Sequence, residues 1–136
     1  LDLNYENKKI PKNKIIEMEK KKTGKLFSFC CAAPLIIKQR KINEIKFFEK
    51  IGSQIGLLFQ IADDLIDDQG SSKLAGKKTG KDRKKGKATL ISLLGYSNSI
   101  KYCDKVIKNI NYDLNKYGPN TKKINNTLNY ILNRNK

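Results

Sequence analysis

An all-α fold is what this sequence predicts, and three observations carry the prediction. Ile45, Phe48, Ile51, Ile55, Leu58, Ala62 and Leu65 recur every three or four residues, the spacing that lines up one face of a long amphipathic helix. Proline is scarce, with 3 in 136 residues. The β-branched residues are mostly isoleucines at helical rather than alternating spacing, so no strand is expected. A chain of this length is most simply one domain, long enough to bury a core.

The elements follow in order. Pro11 suits the approach to a helix, and Ile15, Met18, Leu26, Phe27 and Cys30 give helical periodicity from Lys14 to about Cys31, with an interruption expected near Thr23-Gly24. The long helix through Ile45 and Leu65 comes next. Gly52 and Gly56 inside it weaken helix propensity, which points to close packing against a neighbouring helix. Gly70, with Ser71 and Ser72, is expected to end it. Residues 70–87 read as a loop rich in Gly and Lys. A helix with Leu90, Ile91, Leu93 and Leu94 is expected from near Ala88 to Gly95. Ile100, Cys103, Ile107, Ile110 and Leu114 mark another, stopped by Gly118-Pro119, and Ile124, Leu128, Ile131 and Leu132 mark the last.

Composition narrows the classes of function. The chain carries 29 Lys+Arg against 13 Asp+Glu, a formal charge of +16. Nucleic acid or an anionic membrane is the usual partner for such a charge. Here only Arg40, Arg83 and Arg134 are arginine, and the lysines are interleaved with apolar residues in a Lys-, Asn- and Ile-rich sequence. That pattern fits AT-biased coding and solvated surface, so a basic nucleic-acid-binding helical module is the weakest alternative. A positive field would still gather a polyanionic substrate. Cys30, Cys31 and Cys103 form no Cys-x-x-Cys pair, and reduced thiols in the cytoplasm are the expectation. With no histidine, His-based triads and ordinary zinc sites drop out. No apolar run reaches membrane-spanning length.

The chemistry gathers at Phe59-Gln60-Ile61-Ala62-Asp63-Asp64-Leu65-Ile66-Asp67-Asp68. On a helix Asp63 and Asp67 share a face, as do Asp64 and Asp68, with Gln60 one turn earlier. Like charges at that spacing cost roughly 0.2–0.5 kcal/mol per pair. They also crowd the C-terminal end of the helix, where its dipole already disfavours anions. A hard cation such as Mg²⁺, with its oxygen ligands and retained waters, would relieve the repulsion and could bridge to phosphate. Lys77, Lys81 and Lys87 follow on the loop and could neutralise a polyphosphate. The loop is not a nucleotide P-loop, since only three residues separate Gly76 from Gly80 and no strand precedes it. An EF-hand fails for want of alternating ligands and a closing Glu. An isolated Asp-Asp-x-x-Asp is as readily a solvated acidic helix end; four aspartates beside a lysine loop shift the balance towards a site.

Phe59-Gln60-x-x-Asp63-Asp64-x-x-Asp67, followed by Gly76-Lys77, Asp82 and Lys87-x-Thr89, resembles the second aspartate-rich region of the trans-polyprenyl diphosphate synthases, and within them the bacterial farnesyl diphosphate synthases (geranyltranstransferases). Lys22-Thr23-Gly24 resembles the Lys-Thr-Gly of the preceding helix. Leu1-Asp2-Leu3, Pro11 to Met18 and Arg134-Asn135-Lys136 also fit, so the likeness runs over nearly the whole chain.

The resemblance implies a helical isoprenoid synthase bundle and a Mg²⁺-dependent prenyltransferase that condenses an allylic diphosphate with isopentenyl diphosphate. It makes Asp63 the principal metal ligand, assisted by Asp64 and Asp67. Lys22 and Lys87 would contact the diphosphate, and Lys77 would fix metal and phosphate from the loop. Thr23 and Gln60 would line the allylic channel, while Asp82 would order the loop. It further implies a homodimer for the full-length enzyme, with no nucleic acid and no membrane span. The family's first aspartate-rich motif has no counterpart, so residues 1–136 read as the C-terminal portion of a polyprenyl synthetase domain, cut at Leu1 and inactive alone. The alternative is a non-catalytic half-subunit that pairs with a complete synthase.

Overall fold

In a computed structural model, residues 10–74 and 89–133 are described, without the side chains of 69–74. All of the regular structure among them is helical: α1 (Lys12–Glu19), a π-wound segment (Lys20–Gly24), α2 (Lys25–Ile37), α3 (Ile42–Leu74), α4 (Leu90–Leu94), α5 (Tyr96–Leu114), a tight 3-10 stretch (Asn115–Thr121) and α6 (Lys122–Asn133). The expected fold class is therefore what is found. None of the described helices is long and apolar enough to cross a membrane.

The expected interruption at Thr23-Gly24 takes the form of a change in winding. α1 passes into the π-wound segment and on into α2 without leaving the helical path. π-winding accommodates one extra residue in a helix and is common at functional positions. α2 then runs past Cys31 to Ile37, through Pro34. That proline removes a bond to the Cys30 carbonyl, and Cys30 is exposed to water, which limits the cost.

Two expectations about α3 are corrected. It runs on through Gly70, Ser71 and Ser72 to Leu74. A glycine inside a helix costs only about 1 kcal/mol and stops it only when the backbone turns left-handed. The aspartates consequently lie well before the helix end, and the argument from an opposing helix dipole does not apply to them, since that effect fades beyond the last turn. The last helices lie close to expectation. α4 opens on Thr89, whose hydroxyl accepts from Ser92 N while Ser92 Oγ accepts from Thr89 N, a reciprocal cap. Gly118, at φ +59, makes the corner before Pro119, a conformation that side chains disfavour.

The core forms around α3. Ile51, Leu58 and Ile61 are buried there against Cys103, Ile110 and Leu114 of α5 and Leu128 of α6. Phe47, Phe48 and Tyr117 stack nearby, with the Lys116 ammonium 3.9 Å from the Phe47 ring centre. Burial pushes the Cys103 thiol up to about 12, so it behaves as packing material. One face is not covered: Leu26, Phe29, Ile36 and Ile37 of α2 are exposed.

α2 and the π-wound segment lie along α3 at a separation only glycine permits. A methyl group on Gly56 would sit 2.6 Å from the Cα of Gly24, and one on Gly52 would enter the Phe27 carbonyl. Both obstacles are backbone and cannot swing aside. The close packing expected from Gly52 and Gly56 is thus present, and Gly24 faces it from the other side. Gly56→Ala gains about 1 kcal/mol of helix propensity, but overpacking against backbone should cost about 2–3 kcal/mol. A net loss of stability in urea unfolding is expected. A midpoint equal to or above that of the parent would show that the two backbones do not meet there.

Candidate functional site

The glycine crossing sets two side chains from distant parts of the sequence against each other. Thr23 sits on the π-wound segment and Gln60 two turns along α3 from Gly52. The Thr23 hydroxyl donates to Gln60 Oε1 at 2.9 Å. Gln60 Nε2 in turn donates to Asp64 Oδ1 at 3.4 Å, one turn further along α3. Gln60 is buried, and Thr23 and Asp64 on either side of it are half-buried. Phe27 and Phe59, one from each of the two helices, pair with ring centres 5.5 Å apart and add an apolar contact to the same helix crossing.

The three aspartates named as metal ligands are not equivalent. Asp63 and Asp67 are exposed, whereas Asp64 is turned towards the protein. Burial pushes the Asp64 carboxyl up to about 6; the Gln60 bond and the nearby Lys22 charge pull the other way, and Asp63 and Asp67 push it further up. Lys22 is therefore near enough to act electrostatically on the acidic face. Of the expected site residues, Lys22, Thr23, Gln60, Asp63, Asp64 and Asp67 come together on adjoining turns of two helices. Lys77 and Lys87, with Lys81 and Asp82, lie outside the described residues.

Among the described residues no group of three or more His, Cys, Asp or Glu is gathered into a ready-made metal cage. The donors present suit a different kind of site. Carboxylates on one exposed helix face, with none of the softer ligands, match a hard cation that keeps its waters and shares phosphate oxygens. The residues fit Mg²⁺ on those terms, with Asp63 and Asp67 on the accessible side.

Sequence reasoning missed the π-winding, which no local residue type announces. It placed Gln60 and the aspartates on one face but missed the hydrogen bond between Gln60 and Asp64, although their spacing of four contained it.

The raised Asp64 carboxyl has a definite sign for stability. Folding favours its protonated form, so its contribution is full below the ordinary value of 3.8 and is lost as pH rises through about 6. In the metal-free protein Asp64→Asn should flatten that fall. The variant should gain stability relative to the parent between about pH 4 and pH 7. Parallel urea-unfolding profiles across that range would contradict the burial of this carboxyl.

The chain resembles known proteins over nearly its whole length. Residues 1–130 match the polyprenyl synthetase family. Farnesyl diphosphate synthase of Micrococcus luteus is 31% identical over the whole chain, which covers 47% of that protein. A farnesyl/geranylfarnesyl diphosphate (FPP/GFPP) synthase from Zymomonas mobilis, solved in its apo form, superposes with a TM-score of 0.75 at 30% identity, over 96% of this chain and 42% of that one. A Helicobacter pylori geranyltransferase solved with magnesium and isoprenyl diphosphate gives 0.72 at 28% identity, over 98% and 44%. The chain thus spans about half the length of the relatives it matches. The helical fold and this match over nearly the whole sequence place the chain in the polyprenyl synthetase family, among its farnesyl-diphosphate-synthase-like members.

Proposed function

We propose that this chain forms one side of the diphosphate site of a prenyltransferase that joins an allylic diphosphate to isopentenyl diphosphate, giving a short-chain product of farnesyl type. The observation that carries the reading is the convergence of Thr23 and Gln60 with Lys22 and the aspartate face across the glycine crossing. It puts oxygen acceptors and an aromatic pair at one helix crossing, with opposite charges next to them. A reaction that separates a carbocation from a diphosphate needs both.

Asp63 would be the principal Mg²⁺ ligand, with Asp67 and Asp64 assisting directly or through water. Magnesium bound there would supply Lewis-acid neutralisation of the leaving diphosphate. Lys22, on the adjoining helix, aims a fixed cation at the same charge, and Lys77 and Lys87 extend that role from the loop. Such charges act where negative charge grows as the carbon–oxygen bond breaks, which favours the transition state over the bound substrate. The Thr23 and Gln60 oxygens, hydrogen-bonded to each other, would lie beside the electron-poor carbon, and Phe27 and Phe59 would help exclude water that could trap it. No Ser or Cys nucleophile is required. The thiols remain free in this setting, as expected of a cytoplasmic enzyme.

Turnover also needs residues beyond those identified here, in keeping with the share of the relatives that is covered. The chain is read as the C-terminal portion of a synthase that pairs as a homodimer at full length and, alone, does not condense isoprenoids. In the full-length enzyme, Asp63→Ala should lower kcat about 100-fold or more while circular dichroism stays unchanged. A Mg²⁺-dependent rate equal to the parent's would sink the metal assignment. Lys87→Ala should raise KM for the allylic diphosphate more than for isopentenyl diphosphate. Equal effects on the two substrates would place this lysine elsewhere.

A further inference from the structure

α2 has the composition of a helix enclosed by protein, yet only one side of it is covered. Its 13 residues, Lys25–Ile37, carry a single charge, at Lys25, in a chain whose residues are 31% charged. A helix that is apolar all round belongs in an interior. Phe27 and Cys31 pack against the core and Ala32 is buried. Among the described elements α2 touches only α3 and the π-wound segment. Leu26, Phe29, Cys30, Ala33 and Ile37 form the opposite face, at the helical spacing i, i+3, i+4, i+7 and i+11. Phe29 is 65% exposed and Ile37 77%. An apolar stretch of this kind marks an interaction surface. Residues 1–9, 75–88 and 134–136 bring only Leu1, Leu3 and Tyr5 as large apolar side chains, too few to cover it.

We infer that this stripe is the docking surface for a helix supplied by the portion of the synthase that the chain does not span. The need for an occupant stands on α2 itself; naming the occupant rests on the proposed synthase. The chain covers 47% of its Micrococcus luteus relative, so more than half of a protein of that size lies outside it and needs a surface to pack on. The stripe starts one turn beyond Thr23, on the helical path that carries the candidate site, so a helix laid on it also borders that site. It rises about 16 Å, three turns of a facing helix. Small Cys30 and Ala33, set between Leu26, Phe29 and Ile37, leave a hollow that a facing side chain can enter. The middle of the stripe is neutral and both ends are basic, with Lys25 before it and Lys38 and Lys41 after it. The occupant is therefore a helix with an apolar face and acidic residues towards its ends. Once covered, the Cys30 carbonyl, which Pro34 deprives of its donor, requires one from the occupant. A second copy of the chain fits less well, because like charges meet whether two such stripes run parallel or antiparallel. A membrane surface also fits less well. An interfacial helix carries its charges along a polar face, and here that side is filled by α3.

The exposed thiol of Cys30 lies in the stripe and reports on it. Cys31 is half-buried, with its thiol raised by that burial, and Cys103 is buried, so a maleimide should modify Cys30 first in the 136-residue chain. In the full-length enzyme, without substrates, Cys30 should react about 100-fold more slowly than in the short chain or in its own urea-unfolded state. Phe29→Glu should leave the urea midpoint of the short chain unchanged and lower that of the full-length enzyme. If the full-length variant does not fold, the labelling of the parent enzyme decides. Equally fast modification of Cys30 in the short chain and the native full-length enzyme overturns the inference. Protection that comes and goes with protein concentration also overturns it and assigns the stripe to a second copy. Protection of the full-length enzyme only by phosphatidylglycerol vesicles overturns it in favour of a membrane. None of these readings requires turnover. A protected Cys30 in an enzyme that transfers no prenyl group would refute only the proposed function, whereas turnover with Cys30 freely modified would refute only the docking surface.

Discussion

Gly52 and Gly56 allow two backbones to come closer than any side chain would let them, and the rest of the site follows from that contact. The gap between α3 and the helix that contains Thr23 is set by Gly24 on one side and by these two glycines on the other. At that distance a short hydroxyl on one helix reaches an amide on its neighbour directly. A separation larger by one methyl would require a water or a longer side chain between them, and the polar row would lose its fixed geometry. Helix propensity is sacrificed at both positions, and close packing together with a preorganised site is what the protein obtains in return.

The same crossing sorts three chemically identical carboxylates into two environments. Asp63 and Asp67 face outward, where a hydrated cation and phosphate oxygens can reach them. Asp64 faces the helix pair, where it meets Gln60 and feels Lys22. One residue of offset on a helix is enough for this, because neighbouring positions point in directions about 100° apart. An Asp-Asp pair is therefore two tools rather than one doubled tool. The first member faces solvent, and in the proposed site would address the ligand, while the second bonds to the protein around it.

Much of this could be read from the chain itself. Isoleucine and leucine spacing identified α3, α5 and α6, because burial of one stripe against a core leaves a periodic trace. Gly52 and Gly56 announced a close neighbour, since nothing else repays two glycines in mid-helix. The spacing of Gln60, Asp63, Asp64 and Asp67 puts them on one helix, whereas Thr23 is pointed to only by the family resemblance of Lys22-Thr23-Gly24, and its bond to Gln60 joins residues 37 apart. Other features leave no such trace. Gly70 reads as a stop signal, yet a glycine ends a helix only when the backbone turns left-handed there, and that depends on what surrounds it. The helix running on through Pro34 is likewise unannounced, and it is tolerated because the carbonyl that proline strands lies at an exposed residue. The π-winding depends on where α1 and α2 must both pack, a long-range demand that Lys20 to Gly24 do not encode on their own.

That widened turn has a consequence for how this helix can change over time. It holds α1 and α2, two stretches of ordinary helix, out of phase by about the 100° that one residue contributes. α1 keeps Ile15 and Met18 in the core, α2 keeps Ala32 there, and the discrepancy is taken up between them, at Lys22 and Thr23. Residues on either side can drift as ordinary helix positions, provided their periodicity holds. The length of the segment cannot drift. Removing a single residue anywhere between Glu19 and Lys25 would leave each half well formed and rotate one against the other, so that a change invisible to composition, hydropathy and helix content would dismantle the site. In this stretch the number of residues is a more stringent constraint than their identity.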